Sequence, residues 1–256
     1  MPSVDLNCDI GESFGAWTLG ADAEVLAHVT SANIACGFHA GDPATMRRTI
    51  DLAAERGVAA GAHPGLPDLA GFGRRVLEVT PDEAYEMVVY QVGALAAFAA
   101  ARGTRLAHVK PHGALYNMAA ARAPLADAIA RAVRDVDRGL MLFGLAGSQL
   151  IAAARSAGLV AVEEVFADRR YAANGTLVSR SEQGAVIDDT ASAVRQAVRM
   201  VREGRVTAID GTELPVRADT ICIHGDTPGA AEHARALRAA LSDAGIDVAG
   251  PRRVTA

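Results

Sequence analysis

Short apolar runs alternate along the chain with longer stretches whose apolar positions recur at helical spacing. The short runs predict strands at Val4–Cys8, Ala32–Cys36, Val58–Ala62, Leu106–Lys110, Leu140–Gly144, Val160–Val165 and Thr220–Ile223. Helices follow most of them. Asp42-Pro43 predicts a helix start, with Gly57 as its stop. Thr80-Pro81-Asp82-Glu83 is a capping box that opens a helix to about Arg102-Gly103. Ala126, Ile129 and Val133 predict another helix, as do Val194, Val198 and Val201. Thr227-Pro228 predicts the start of the last one, which ends near Ala244-Gly245, and the first helix is short, around Ala21–Val29. Repeated strand–helix units predict an α/β protein with a parallel sheet, and closed barrels and open doubly wound sheets both satisfy the pattern. No linker divides the chain, so one domain is expected over residues 1–256. The longest irregular stretch, Pro64–Val79, has the length of a lid or binding loop.

Sites in parallel α/β folds lie at the carboxyl ends of the strands. The residues just past the expected strands are Asp9 and Glu12, then His39 and Asp42, then His63, then Lys110 and His112. Glu163-Glu164, Asp168 and Arg169 follow near the sixth strand, and His224 and Asp226 the seventh. Four of the 7 histidines fall in these positions, and so does Lys110, the one lysine of the chain. Arg serves as well as Lys on a solvated surface, but not where a compact, titratable ammonium is required. Such a gathering of titratable groups marks a functional site. Asn7 and Asn117 flank it, and His108, two residues before Lys110, can point inward with it. Asp42 has a full structural explanation as an N-cap. His28 and His233 sit within helical patterns and read as surface or structural residues. Cys8, Cys36 and Cys222 read as small core hydrophobes.

Composition narrows the field. Half of the 256 residues are apolar, enough to fill a core, and a net charge of −5 gives no overall reason to bind nucleic acid or an anionic membrane. Three scattered cysteines make no disulfide framework. No secretory leader is visible, and the apolar stretch Val92–Ala101 is too short to span a bilayer, so a cytoplasmic protein is expected. The lysine is followed by Pro111, which excludes a Walker A loop around it, and neither a Gly-x-Ser-x-Gly elbow nor a His-Glu-x-x-His motif is present. Two chemistries remain open. Asp9, His39 and His63 can hold a divalent metal ion. Alternatively, Asp9, Glu12 or a His acts as an acid–base catalyst, with Lys110 stabilising negative charge.

Several longer stretches carry a family resemblance. They are Asp5-Leu-Asn-Cys-Asp-Ile-Gly-Glu-Ser-Phe-Gly15, Ser31-Ala-Asn-Ile-Ala-Cys-Gly-Phe-His-Ala-Gly-Asp-Pro43, Gly61-Ala-His-Pro64, Gly71-Phe-Gly-Arg-Arg75, Val109-Lys-Pro-His-Gly-Ala-Leu-Tyr-Asn117, Glu164-Val-Phe-Ala-Asp-Arg169 and Cys222-Ile-His-Gly-Asp-Thr-Pro228. Together they span the chain nearly end to end and resemble the family of 5-oxoprolinase A subunits, also called LamB/YcsF or lactam-utilisation proteins. Leu66, Arg170 and Asn174 depart from the family pattern. The resemblance implies a seven-stranded parallel β/α barrel related to sugar deacetylases and glycoside hydrolases. It also implies ATP-dependent cleavage of 5-oxo-L-proline to L-glutamate, carried out with subunits B and C.

On that reading Asp9 or a neighbouring His, with His39 and His63 nearest, activates water. Lys110 and His112 neutralise charge on the carbonyl or phosphoryl oxygen. Arg169 pairs with the substrate carboxylate, Asn7 and Asn117 orient the lactam amide, and His224 and Asp226 join the substrate site. ATP is then handled largely with the partner subunits. Lys110→Ala is expected to cut turnover without unfolding the protein. Two other classes stay open: a stand-alone metal-dependent amide hydrolase or deacetylase, and a non-catalytic lactam-binding subunit.

Overall fold

A computed structural model describes residues 2–224 and 229–251. Seven parallel strands close into a barrel. They are β1 (Ser3–Ile10), β2 (Ser31–Ala35), β3 (Ala59–His63), β4 (His108–Val109), β5 (Met141–Leu145), β6 (Val160–Phe166) and β9 (Thr220–His224). Each pairs with the next in that order, and β9 returns to pair with β1, which leaves the barrel without an edge. The expected closed barrel is therefore the observed one. β4 is shorter than expected, but Ala107 and Lys110 still donate to the carbonyls of Ala60 and Ala62 and carry the ladder past its ends.

The helices are α1 (Asp22–Val25), α2 (Pro43–Arg56), α3 (Pro81–Ala101), α4 (Gly113–Ala121), α5 (Ala123–Val136), α6 (Gln149–Ser156), α7 (Thr190–Glu203) and α8 (Ala230–Asp243). Their starts follow local chemistry. The Asp42 carboxylate accepts from the amides of Ala44 and Thr45, and Gly57 ends α2 in the left-handed region. Thr80 and Glu83 form the complete capping box of α3. Thr227-Pro228 lies outside the described residues. α3 is long and apolar enough to cross a membrane by composition. Here Ala84, Val88, Val92, Leu95 and Ala99 bury its inner face in the core. Two features escape the hydrophobic pattern. Strands β7 (Arg205–Thr207) and β8 (Glu213–Pro215) form a short antiparallel hairpin, tied down by Arg199 through Thr207 and Glu213. Strand β10 (Asp247–Val248) adds to the start of β1. All three strands are too short for periodicity to mark them.

Strand alternation sorts two interiors. On β1, Val4, Leu6, Cys8 and Ile10 belong to the large core between barrel and helices, while Asp5, Asn7 and Asp9 join the polar network inside the barrel. Ser31 and Asn33 of β2, His108 of β4, Glu164 of β6 and Thr220 of β9 belong to the same network. The opposite side of the barrel interior is apolar, with Met141, Phe143 and Val162 packed together. His108 bridges the halves, stacked on Phe143 at a centroid distance of 4.1 Å. It also lies over Gly61, its partner across the β3–β4 ladder, where a Cβ would fall onto the imidazole. Gly61→Ala is expected to overpack this layer and cost about 3 kcal/mol, read as a lower urea midpoint at unchanged m-value.

Candidate functional site

The site forms where the polar interior reaches the carboxyl ends of the strands. Lys110, just past β4, is 2 % exposed. Its ammonium meets Asp9 Oδ1 at 3.0 Å, Glu164 Oε1 at 2.9 Å and Asn7 Oδ1 at 3.3 Å, with Cys222 Sγ at 3.1 Å. Burial works against the charge, but the carboxylates of Asp9 and Glu164 outweigh it and hold the Lys110 pKa well above its ordinary value. Three N–H groups thus face three oxygen acceptors and a sulfur. Removing Lys110 would leave Asp9 and Glu164 buried without it, a loss of about 3–5 kcal/mol for a broken buried pair. Lys110→Ala is therefore expected to cost stability as well as turnover.

Asp9 is the hinge between two clusters. Its Oδ1 takes Lys110 and the Asn33 amide at 2.8 Å, and its Oδ2 lies 3.4 Å from His63 Nε2. Beyond it, Glu12, His39, His63 and His112 bring four ligand atoms within 4.8 Å of one another, all in buried residues. His63 Nδ1 lies 2.7 Å from the Lys110 carbonyl, and His112 Nε2 lies 2.8 Å from the Phe72 carbonyl. A carbonyl only accepts, so each of these nitrogens carries the proton. His63 Nε2 and His112 Nδ1 then face each other, 2.9 Å apart. Two lone pairs at that distance repel unless a cation lies between them. His39 stacks on His112 with centroids 3.8 Å apart, and neither of its ring nitrogens has a partner among the described residues. Burial, and then the neighbouring imidazoles, push the pKa values of His39 and His112 well below the ordinary range. Three imidazole nitrogens and a carboxylate oxygen, two of the rings oriented by backbone carbonyls, can hold a metal ion. Asp9 borders this set, and Glu12 and His112 join His39 and His63 in it.

The loop 64–79 covers the imidazoles. Phe72 adopts a left-handed φ of 55°, a conformation uncommon for a bulky residue, and its carbonyl is the one that accepts from His112. The buried Asp68 carboxylate takes the Gly71 amide and the Arg75 guanidinium, which pins the turn. At Gly65 and Gly73 a Cβ would strike His39, so the backbone passes directly against the ring.

The remaining sequence candidates separate. Asn7 is fully buried and every polar atom of its amide is engaged within the barrel. Arg169 is 5 % exposed, donates from Nη2 to the Val178 carbonyl at 2.6 Å, and has an Nε without a partner among the described residues. Burial and then Arg180 pull its pKa down to about 10, which still leaves a cation at neutral pH. Asn117 is exposed on α4 and joins none of the cluster's hydrogen bonds among the described residues. His224 ends β9 in register with Asp9, while its side chain and all of Asp226 lie outside the described residues. Sequence reasoning passed over Asn33 and gave Glu164 and Cys222 no role in the site. A signal for Glu164 existed: two adjacent carboxylates in an apolar strand must point to opposite faces. Glu163 points out to Arg155, and Glu164 points in to Lys110.

The LamB/YcsF family description matches residues 4–256. The chain is 61 % identical to the 5-oxoprolinase A subunit of Bordetella pertussis over 96 % of its own length and 98 % of that protein's. It is 57 % identical to the 5-oxoprolinase A subunit of Bacillus subtilis, covering 97 % of this chain and 96 % of that one. The crystal structure of the lactam utilization protein from Thermus thermophilus superposes with a TM-score of 0.91 at 52 % identity, covering 96 % and 99 % of the two chains.

The imidazoles make metal binding and acid stability measurable. Titration with Zn²⁺ should give one bound equivalent by calorimetry, weakened tenfold or more in His39→Ala. Binding left unchanged in His39→Ala would remove that ring from the ligand set. Acid should also destabilise the fold. His108 is held down to about 3, by burial first and then by Lys110, and His39 and His112 are depressed as well. Their stabilisation is complete above the unfolded value near 6.5 and is lost as pH falls below it, at about 1.4 kcal/mol per pH unit for each ring. Asp5, raised to about 6 by burial, runs the other way between 6 and 3.8 and offsets one such proton. Urea unfolding should therefore show stability falling from pH 7 to pH 5, with a shallower slope in His108→Gln.

Proposed function

Because this chain belongs to the LamB/YcsF family, we propose that it is the A subunit of a 5-oxoprolinase, opening 5-oxo-L-proline to L-glutamate with hydrolysis of ATP, together with subunits B and C in the cytoplasm. The observation that carries this reading is the full-length identity to relatives named as the A subunit of 5-oxoprolinase. The chemistry of the site is compatible with it.

A five-membered lactam is a stable amide, held by resonance. Attack by water at its ring carbon needs either a strong pull on the carbonyl oxygen or conversion of that oxygen into a leaving group. Phosphorylation by ATP supplies the second, with the nucleotide bound largely in the partner subunits. Water adds to the phosphorylated ring carbon, the ring C–N bond breaks and the ring nitrogen takes up a proton, which leaves an acyl phosphate; a second water then displaces phosphate and gives L-glutamate. Asp9, whose Oδ2 stands 3.4 Å from His63 Nε2, is the general base that takes the proton from water. The Lys110 ammonium, 3.0 Å from Asp9 Oδ1, holds that carboxyl group in place and adds a positive field for charge developing on the carbonyl or phosphoryl oxygen. Arg169, whose Nε has no partner among the described residues, pairs with the substrate carboxylate. Glu12, His39, His63 and His112 would hold a divalent cation, which when bound supplies Lewis-acid polarisation of an oxygen.

The three-imidazole cluster also favours a second reading, a stand-alone metal-dependent amide hydrolase. One assay separates the two: glutamate formed from 5-oxo-L-proline, with and without ATP, by this chain alone and by the chain mixed with subunits B and C. Turnover only with ATP and all three chains is the expected result, and ATP-independent turnover by the chain alone would favour the second reading. In the active mixture Asp9→Asn should lower kcat by about a thousandfold, since it removes the general base.

A further inference from the structure

We propose that Asp5, Thr220 and Asn7 form a positioning relay up the barrel axis, which fixes donor–acceptor polarity at Asp9 and holds the Lys110 ammonium in place. None of the three reaches the imidazole cluster, and all are buried, at 1 %, 0 % and 0 % exposure. The inference rests on the reading of Asp9 and Lys110 as working parts of the site.

The relay starts at the amino end of the barrel. The Asp5 carboxylate can only accept, and three hydroxyls donate to it: Thr30 at 2.6 Å, Ser31 at 2.7 Å and Thr220 at 2.5 Å. Thr220 has one O–H, and Asp5 consumes it. The Thr220 oxygen therefore meets Asn7 as an acceptor, and Asn7 Nδ2 donates to it at 2.7 Å. The second Asn7 N–H goes to Glu164 Oε1 at 2.9 Å. With its nitrogen so placed, the amide must turn its oxygen to the barrel centre. There it accepts from Asn33 Nδ2 at 2.7 Å and from Lys110 Nζ at 3.3 Å. The other Asn33 N–H goes to Asp9 Oδ1 at 2.8 Å, and the Asn33 oxygen accepts from His108 Nε2 at 2.7 Å.

Each group in this chain has one polarity, and that polarity is inherited from the group below it. Flipping Asn7 would set its NH₂ against the Lys110 ammonium and the Asn33 amide. The same flip would set its oxygen against the Glu164 carboxylate. Asp5 and Glu164 act on the two N–H groups of one amide, so loss of either loosens the register. Asp5→Asn lets an amide donate to the Thr220 oxygen. The Thr220 O–H is then released toward Asn7, where it meets another donor.

Lys110 is the one lysine in the chain, so protein labelled with ε-¹⁵N-lysine gives a single side-chain ammonium resonance, which reports the relay without substrate. Thr220→Val exchanges the hydroxyl for a methyl, whereas Thr220→Ser keeps the hydroxyl and loses the methyl. Thr220→Val and Asp5→Asn should both move that resonance. In the assay with all three chains they should lower kcat by about tenfold with KM for 5-oxo-L-proline little changed, the scale of one lost hydrogen bond. Thr220→Ser should match the unmodified protein in both readouts. An unmoved resonance in folded Thr220→Val overturns the relay, whatever happens to turnover. If that variant does not fold, an unmoved resonance in Asp5→Asn overturns it equally. A moved resonance with unchanged kcat supports the relay and counts instead against the role given to Lys110 in the reaction.

Discussion

A single ammonium, that of Lys110, sits inside the barrel between the carboxylates of Asp9 on β1 and Glu164 on β6. Burying a charge costs several kcal/mol, and the cost is offset only where partners are matched in number and direction. Here the match is close, with two carboxylates and an amide oxygen around one ammonium. Lys110 comes from the end of β4 and reaches across the barrel, so the ion pairs also tie together strands that are not neighbours in the sheet. Charge, closure of the barrel and the placing of Asp9 become one arrangement.

A barrel interior this polar would be a poor core on its own. It is tolerated because the fold keeps its main apolar layer elsewhere, between the outer faces of the strands and the helical ring. The inside of the barrel needs only the small packed group of Met141, Phe143 and Val162. Division of labour by strand alternation lets the same strand serve both. Leu6 and Cys8 of β1 pack outward while Asn7 and Asp9 carry the network within.

The imidazole cluster follows a different logic. Its rings are oriented from behind by backbone carbonyls, those of Lys110 and Phe72, and from above by the glycines of the loop 64–79. That orientation leaves two ring nitrogens facing at 2.9 Å, a repulsive contact between two lone pairs and a favourable one around a cation. The left-handed φ of Phe72 has a local reason in this setting: it aims the carbonyl that fixes the His112 tautomer.

Much of this was legible in the sequence alone. Local signals placed the seven barrel strands, the capped starts of α2 and α3, and the strand-end positions of Asp9, His39, His63 and Lys110, because caps, turns and apolar runs act over a few residues. The lone lysine and the histidines past the strands pointed to the carboxyl ends of the strands, where the polar and imidazole clusters lie. What the sequence left open depended on residues far apart in the chain. Glu164 acquires its role from Lys110, Asn33 from Asn7 and Asp9, and Asp5 from Thr220, each only after the barrel closes. The strands β7, β8 and β10 were too short for periodicity and exist through tertiary contacts. Proton positions on His63 and His112 are likewise a tertiary matter, set by which backbone carbonyl each ring meets. Residue type and strand alternation decide which groups can face the interior, but only closure decides which of them meet, since hydrogen bonds and ion pairs are made across the barrel and not along the chain.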